Sequence, residues 1–217
     1  MIILASTSTT RQQMLRQAGI NFTVMAASLD EETEKANLGP RTAKSMAQAL
    51  ALAKARSVSA AHASAIVIGA DQTLECAGHM YSKPKNNTEA RQQLSLLKGK
   101  QHALYSAVTV TKADSVIFQT TTTAQLTMRN FSDGFLNSYL EKLGPDQCGS
   151  PGCYHVESIG IQLFERIEGD YFTILGLPLL PLLAFLREIG ELQTRSKHPL
   201  SAGRYTIPAR RSFTVIG

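Results

Sequence analysis

Two short apolar runs, each followed at once by polar side chains, constrain the fold of this chain most. Residues 2–5 are Ile-Ile-Leu-Ala and lead into five consecutive Ser and Thr residues, and residues 65–70 lead into Asp71. Apolar runs of this length are typical of buried strands. Ligands of open α/β sheets bind at the carboxyl ends of such strands. The sequence therefore predicts a site where these two strands end, with Asp71 at the mouth of the second.

Helical and strand-like segments alternate along the rest of the chain. Apolar residues on one face, with caps or glycine stops, predict helices at residues 9–18, 41–62, 88–97, 135–143 and 181–190. Strand patterns mark residues 104–111 and 115–128, and the segment 161–175 is interpreted as two strands around a Glu-Gly-Asp turn. This interleaving predicts an α/β fold in which a mixed β-sheet is flanked by helices.

The size and composition of the chain are typical of a packed domain. Its 217 residues, 43% of them hydrophobic and 18% charged, are enough for one domain of moderate size or two small lobes. The N-terminus lacks the pattern of a signal peptide, and the most apolar stretch, residues 175–186, is too short to cross a membrane. Three cysteines are too few for a disulfide framework, which favours a reducing compartment. We therefore expect a cytoplasmic protein that does not enter a membrane.

The positive charge of the chain is concentrated in one segment. The chain carries 22 Lys and Arg residues against 17 Asp and Glu residues, a formal net charge of +5. Residues 193–217 hold five of the basic residues and no acidic one, so residues 1–192 are neutral by count. No aromatic-rich basic motif accompanies this charge, and nucleic-acid binding is not expected. We predict a globular domain at residues 1–192 and a basic, poorly ordered tail at residues 193–217.

The hydroxyl-rich turn after the first strand has the features of an anion site. Ser6 and Ser8 provide hydroxyl groups, the start of the next helix provides free N–H donors, and Arg11 lies one turn into that helix. Ser and Thr are also the preferred residues at helix N-termini. Capping without any ligand is the alternative interpretation, and from these residues alone it is the more common case.

The other charged candidates also have two interpretations each. Asp71 could hold a divalent metal or take a proton from water, or it could be an ordinary turn residue. Lys83 precedes Pro84, which favours a stiff, extended loop, whereas Lys54 lies in the longest predicted helix. Single lysines, however, are usually solvated surface groups. The run at residues 30–32, Asp-Glu-Glu, is either a solvated loop or a set of metal-facing carboxylates.

Taken together, several short motifs resemble one family. They are LASTSTTR at residues 4–11, DE at 30–31, AKA at 53–55, GAD at 69–71, KP at 83–84, GCY at 152–154, EGDY at 168–171 and GLP at 176–178. Their order and spacing are similar to those of the Maf family of nucleoside triphosphate pyrophosphatases. The resemblance implies a mixed-sheet α/β fold with two lobes around a central cleft, as in inosine triphosphate pyrophosphatases. It also implies a cytoplasmic hydrolase that uses a divalent metal, Mg²⁺ or Mn²⁺, to cleave nucleoside triphosphates and so prevents misincorporation into nucleic acids.

The resemblance assigns roles to single residues. It implies a catalytic and metal-binding role for Asp71, a metal-binding role for Glu31, and phosphate binding by four residues, Ser6, Arg11, Lys54 and Lys83. The set is chemically coherent, because a triphosphate needs several cations to offset its charge and an attacking water molecule needs a base. The expected partner is the nucleotide substrate, and a homodimer is left open.

Three positions bear on the identity of the substrate. With Gln72 and Glu157 the chain resembles the branch of the family that acts on 7-methyl-GTP. The dTTP and UTP branch carries Thr and Gln at these two positions. A carboxylate accepts hydrogen bonds from the N1–H and exocyclic amine of guanine and suits a positively charged methylated ring. Thr10 stands where the 7-methyl-GTP branch has an aromatic residue, which removes one stacking partner. We expect 7-methyl-GTP or another purine-type substrate; the alternatives are a dTTP or UTP pyrophosphatase and a catalytically weak, nucleotide-binding regulator of cell division.

Overall fold

The computed structural model describes residues 1–143 and 150–192, which contain one mixed seven-stranded β-sheet. Its strands are β1 (Ile2–Leu4), β2 (Thr23–Val24), β3 (Ile66–Cys76), β4 (His79–Tyr81), β5 (Gln101–Lys112), β6 (Ser115–Met128) and β7 (Phe164–Glu168). The strand order is β2-β1-β3-β5-β6-β7, and β4 pairs with the end of β3. β1 is parallel to both β2 and β3, whereas the other pairs are antiparallel. The prediction of a mixed sheet is confirmed.

Seven α-helices in the described residues flank this sheet. They are α1 (Thr9–Gln17), α2 (Glu31–Leu38), α3 (Ala43–Ser59), α4 (Asn87–Leu97), α5 (Asp133–Leu143), α6 (Tyr171–Ile174) and α7 (Leu179–Glu188), and a 3₁₀ helix covers Ile159–Leu163. Ser8, Thr42 and Asn86 begin three of the helices, since each side chain accepts the backbone N–H three residues further on, at 3.4, 3.2 and 2.9 Å. Such caps satisfy donors that have no partner within the helix.

Helix α3 covers one face of the sheet and comes very close to β3 at Gly69. A Cβ atom at this position would lie 2.6 Å from the backbone nitrogen of Ala55 and would also meet the carbonyl oxygen of Ala51. Near the start of α3, Thr73 Oγ1 donates a hydrogen bond of 2.7 Å to the carbonyl oxygen of Ala43. The absence of a side chain at residue 69 therefore lets α3 lie directly against the strand.

Two hydrophobic clusters cover the opposite face. The first packs α1 and α7 against Ile68 and neighbouring residues of the sheet, and the second packs α4 and α5 against Leu74. Side chains alternate between faces along a strand, so Ile68, Gln72 and Leu74 share this face. Gln72 and its cross-strand partner Ser106 form a polar pair between the clusters. The long strands β3 and β5 therefore contribute side chains to both clusters.

Two sequence-based expectations about strands are wrong. Asp71 does not end its strand, because β3 pairs with β5 as far as Glu75 and turns into β4 at Cys76. The segment 161–175 is not a pair of strands, because only β7 is extended. Asp170 accepts the N–H of Thr173 at 2.9 Å and thereby begins the short helix α6.

Two expectations about helices also need correction. The acidic run at residues 30–32 is not a loop, because Asp30 caps α2 by accepting the N–H of Glu32 at 3.3 Å. Pro181 is the third residue of α7 rather than the first, since the helix begins at Leu179. Proline is tolerated anywhere in a first turn, where the N–H groups have no partner within the helix.

Three further expectations concern the C-terminal tail, membrane insertion and the cellular compartment. The predicted tail at residues 193–217 lies outside the described residues. None of the described helices is long and apolar enough to cross a membrane. Cys153 is disulfide-bonded, so cysteine usage gives no argument for a reducing compartment.

Candidate active site

The main cavity within the described residues lies at a gap along one edge of β3. On this edge β1 pairs with β3 only over residues 66–68, and β4 pairs only over residues 74–76. Asp71 lies in the middle of the gap, and the turn that follows β1 lies beside it. The cavity has a volume of about 630 Å³. A cavity is therefore present where the first strand ends, and it faces the middle of β3.

All eight predicted site residues line this cavity; they are Ser6, Arg11, Glu31, Lys54, Asp71, Gln72, Lys83 and Glu157. They come from the turn after β1, from α1, α2, α3 and β3, from the segment after β4 and from the loop at residues 150–157. Residues far apart in sequence are thus brought around one volume. Their roles toward a ligand stay predictions at this point.

The turn after β1 is folded by its own hydroxyl groups. Ser6 Oγ accepts the N–H of Ser8 at 3.3 Å, and Ser8 Oγ accepts the N–H of Arg11 at 3.4 Å. Ser8 is therefore the N-cap of α1, as the capping interpretation predicts. Ser6 caps nothing, and its buried side chain faces the cavity beside the start of α1. Since a helix start attracts anions, both interpretations of this turn are compatible with the geometry.

Arg11 connects three parts of the cavity wall. Its Nε donates to the carbonyl oxygen of Gly176 at 2.8 Å, and its Nη1 donates to the carbonyl oxygen of Ala70 at 3.0 Å and to Ser6 Oγ at 3.3 Å. The Ala70 carbonyl lies in the gap of β3, so the guanidinium group satisfies an acceptor that no strand pairs with. Burial lowers the pKa of Arg11, and neighbouring carboxylates oppose this shift. The guanidinium group keeps its charge and is held rigidly.

Lys54 joins two carboxylates beneath the cavity. Its Nζ lies 2.6 Å from Asp71 Oδ1 and 2.7 Å from Glu31 Oε1. Lys54 and Asp71 are only 8% and 6% exposed, whereas the Glu31 side chain is 38% exposed. We call these three residues the carboxylate cluster. Because α3 lies against β3 at Gly69, the ammonium group reaches Asp71. Phosphate binding by Lys54 stays a prediction, since both carboxylates already hold its ammonium group.

Three ammonium groups act on Glu31. Burial alone would raise the pKa of Glu31, but Lys54, Lys83 and Lys35 together outweigh it and hold the pKa below its usual value. Burial also lowers the pKa of Lys83, and Glu31 opposes that shift. Lys83 and Lys35 both line the cavity. The result is a concentration of positive charge beside the carboxylate cluster, which suits a polyanionic ligand.

Lys35 is a cavity residue that the sequence reasoning missed. It lies four residues after Glu31 on α2, a spacing that places both side chains on one face of a helix. No helix was predicted at residues 31–38, so the sequence alone did not relate Lys35 to Glu31. Its Nζ lies 2.8 Å from Glu32 Oε1 and 3.3 Å from Ser82 Oγ.

Gln72 holds the short helix α6 against the sheet. Its Nε2 donates to the carbonyl oxygens of Thr173 and Ile174 and to Ser106 Oγ, each at 3.0 Å. The two carbonyl oxygens can only accept hydrogen bonds, which fixes the orientation of the amide group. Ser106 Oγ also donates to the carbonyl oxygen of Thr173, at 2.7 Å. Because Nε2 is already bonded, Oε1 is the atom of this amide group that can contact a ligand, and it acts as an acceptor.

The loop at residues 150–157 forms another wall, which carries Glu157. Glu157 Oε1 lies 3.6 Å from His155 Nδ1, and its side chain is 37% exposed. Behind the loop, the hydroxyl of buried Tyr154 lies 2.7 Å from Nε2 of buried His102. Burial lowers the pKa of His102 to about 4, so its ring is neutral near pH 7. The loop is thus anchored in the core, while Glu157 remains at the rim.

The carboxylate cluster fits one way of holding a metal. The described residues contain no group of three or more His, Cys, Asp or Glu side chains arranged to hold an ion. Glu31 and Asp71 offer two carboxylates beside the same ammonium group. Mg²⁺ is usually bound by one or two carboxylates, with water and substrate phosphates completing its shell. The donor set therefore suits a divalent ion shared with a phosphate ligand, and not one held by protein groups alone.

The chain is similar to known proteins along most of its length. The chain is 49% identical over 192 residues to the nucleoside triphosphate pyrophosphatase of Paramagnetospirillum magneticum, which covers 88% of this chain and 99% of that one. It is 45% identical over 194 residues to the 7-methyl-GTP pyrophosphatase of Rhizobium meliloti, with 88% and 98% covered. A HAM1 protein structure from Coxiella burnetii is 12% identical, with a TM-score of 0.39 over 60% of this chain and 73% of that one; this likeness is too low to support a conclusion. Residues 1–189 match the family described as Maf-like protein, and the chain belongs to that family.

Proposed function

We propose that this protein hydrolyses a nucleoside triphosphate between its α and β phosphates, releasing the nucleoside monophosphate and pyrophosphate. The observation that carries the proposal is the position of Asp71, a buried carboxylate paired with Lys54 in a cavity lined by further cations. The names of the relatives, nucleoside triphosphate pyrophosphatase and 7-methyl-GTP pyrophosphatase, support the same reaction.

In the proposed reaction, Asp71 accepts a proton from a water molecule whose oxygen attacks the α phosphorus. The new P–O bond forms as the bond between the α phosphorus and the bridging oxygen breaks, and the electron pair leaves with pyrophosphate. Lys54 orients the Asp71 carboxylate at 2.6 Å. Arg11 and Lys83 offset negative charge on the phosphate oxygens, and such electrostatic stabilisation supplies most of the rate in phosphoryl transfer.

Glu31 and Asp71 are the residues that would hold a divalent cation, Mg²⁺ or Mn²⁺. When bound, the cation supplies positive charge that offsets the triphosphate and polarises a phosphate oxygen. The low pKa of Glu31 keeps its carboxylate ionised and ready to act as a ligand across the neutral pH range. Ser6 and the N-terminus of α1 complete the proposed phosphate site.

The preferred substrate that we propose is 7-methyl-GTP or a related purine nucleotide. Glu157, at the rim of the cavity, can accept hydrogen bonds from guanine and offset the charge of a methylated ring. Gln72 offers one further acceptor, Oε1, because its Nε2 is already bonded. Relatives from Rhizobium meliloti and Brucella abortus, 45% and 44% identical, are named for this substrate. We place the activity in the cytoplasm, where it would remove modified nucleotides before they enter nucleic acids.

The test is pyrophosphate release from a panel of 7-methyl-GTP, GTP, dTTP and UTP, with Mg²⁺ or Mn²⁺ and with EDTA. We expect the highest kcat/KM for 7-methyl-GTP and no turnover with EDTA. A clear preference for dTTP or UTP would contradict the purine assignment but keep the reaction. Nucleotide binding without release from any member would favour a silent, nucleotide-binding regulator instead.

A further inference from the structure

A second cavity adjoins the main one. It has a volume of about 390 Å³ and is lined by residues of α2, by the segment at residues 82–85 and by Glu89 and Gln93 of α4. Glu31, Lys35, Ser82 and Lys83 line both cavities. These four residues therefore form the boundary between the two volumes.

The second cavity suits phosphate better than a base. Pro84 is the only lining residue that is not charged or polar, and no aromatic or large apolar side chain is present to pack against a nucleobase. Glu157 and Gln72, the residues proposed to act on the base, line only the main cavity. Of the glutamates, Glu89 is turned toward backbone, since its carboxylate accepts the N–H of Lys85 at 2.8 Å.

A phosphate can replace the Glu32 carboxylate as the partner of the Lys35 ammonium group. Its partner Glu32 has a side chain that is 73% exposed, whereas the Lys35 side chain is 25% exposed. Ion pairs with an exposed partner contribute little, because water competes for both groups. The hydroxyl of Ser82 lies 3.3 Å from the same Nζ and fixes it beside Lys83. A multiply charged phosphate offers a stronger partner than Glu32 does.

We propose that Lys35 binds the β and γ phosphates of the substrate, together with Lys83, and that pyrophosphate leaves through the second cavity. The assignment rests on the proposed function. Asp71 and Lys54 mark the attacked phosphorus in the main cavity, and the leaving group must depart on the side away from the attacking water. Lys35 and Lys83 are the cations at the boundary into which such a group can move. Lys35 is thus a substrate-binding residue that acts on the leaving group rather than on the nucleoside.

The test is isothermal titration of inorganic pyrophosphate, with Mg²⁺ present, into the full chain and three variants. Lys35→Gln removes the charge but keeps a good helix former on the half-exposed helix α2. Lys35→Arg keeps the charge, and Lys44→Gln removes the same charge from an exposed residue of α3 outside both cavities. We expect Lys35→Gln to raise the Kd for pyrophosphate about tenfold, Lys35→Arg to restore most of the affinity, and Lys44→Gln to bind as the unchanged chain does.

A kinetic measurement separates this proposal from the proposed function. The Ki of pyrophosphate as a product inhibitor should rise in Lys35→Gln by the same factor as the Kd. Equal pyrophosphate affinity in Lys35→Gln and Lys44→Gln would overturn the role of Lys35 while leaving hydrolysis intact. Absence of any pyrophosphate release by the unchanged chain would instead overturn the proposed function, whatever the titration shows.

Discussion

The carboxylate cluster and the loop at residues 150–157 line the same cavity but hold their charged groups very differently. In the cluster, Lys54 lies 2.6 and 2.7 Å from two carboxylates, and helix α3 is packed tightly against β3. On the loop, Glu157 has a contact of 3.6 Å and an exposed side chain. Lys54 and Asp71 are set in place by the core of the fold, whereas Glu157 is held only through the base of its loop.

This difference separates chemistry from recognition. Groups that act on a reacting atom must be held to within a fraction of an ångström, which needs rigid elements and a supporting shell. Groups that read a base can change without moving the strands beneath them. We therefore expect substitutions in the carboxylate cluster to abolish turnover for every substrate, and substitutions on the loop to alter the choice among substrates.

Asp71→Asn is the largest test of this comparison. Asparagine keeps the shape of the side chain but cannot accept a proton at neutral pH, so kcat should fall by roughly 100-fold or more. Lys54 still pairs with Glu31, and the melting temperature should change little. The matched control is Glu75→Gln, which makes the same change four residues along β3 and outside the cavity. Turnover of Asp71→Asn at the level of Glu75→Gln would remove Asp71 from the mechanism.

The buried His102–Tyr154 pair behind the loop at residues 150–157 should make the free energy of unfolding depend on pH. Burial lowers the pKa of His102 to about 4 in the folded chain, against about 6.5 when unfolded. Between these values only the unfolded chain binds the proton, so stability is complete above pH 6.5 and declines as pH falls toward 4. The loss from this group is about 3 kcal/mol.

Unfolding by urea at several pH values measures this loss. His102→Gln should have a flatter pH dependence than the unchanged chain, because glutamine does not titrate but can still bond Tyr154. His79→Gln removes an exposed histidine and is the control. If the free energy of unfolding depends on pH equally in His102→Gln and His79→Gln, the His102–Tyr154 pair does not cause the loss of stability in acid.

Gln72 lies between the two regions. Its replacement tests whether it supports the fold around the phosphate site or recognises the base. Gln72→Leu removes the donor to the carbonyl oxygens of Thr173 and Ile174, so the free energy of unfolding should fall by about 2 kcal/mol. The next turn contains Gly176, which accepts a hydrogen bond from Arg11, so KM should rise for all triphosphates. Gln125→Leu, on β6 outside the cavity, is the control for stability and KM. Unchanged stability with altered base selectivity would show that Gln72 acts only on the base and does not hold α6 against the sheet.

Local patterns in the sequence predict much of the scaffold. Ser8 caps α1 by accepting an N–H group three residues away, as the capping interpretation predicts, and the apolar runs of β1 and β3 reflect burial on both faces. Such features depend on neighbours in sequence, so the sequence contains them. The ordered motifs likewise contain six of the eight predicted site residues, all of which line the cavity, although their order alone says nothing about distances.

Features that depend on distant parts of the chain were not predictable in this way. The gap beside Asp71 exists because β1 and β4 pair with separate parts of β3, and no local pattern specifies where pairing stops. Arg11 reaches Gly176 across 165 residues. Lys35 shares a helix face with Glu31 because Asp30 caps α2. In each case a long-range contact decides the role of a residue whose local sequence is ambiguous.

Glu157→Gln should have the smallest effect and the most selective one. Its carboxylate is partly exposed, so the charge contributes modestly, and the kcat/KM for 7-methyl-GTP should fall about fivefold relative to GTP. UTP hydrolysis should not change, because a uracil edge offers only one donor to a carboxylate. Glu165→Gln removes an exposed carboxylate from β7, outside the cavity, and should leave all ratios unchanged. An equal fall for every substrate would mean that Glu157 acts on the phosphates or on the fold, and the separation of chemistry from recognition would fail at this residue.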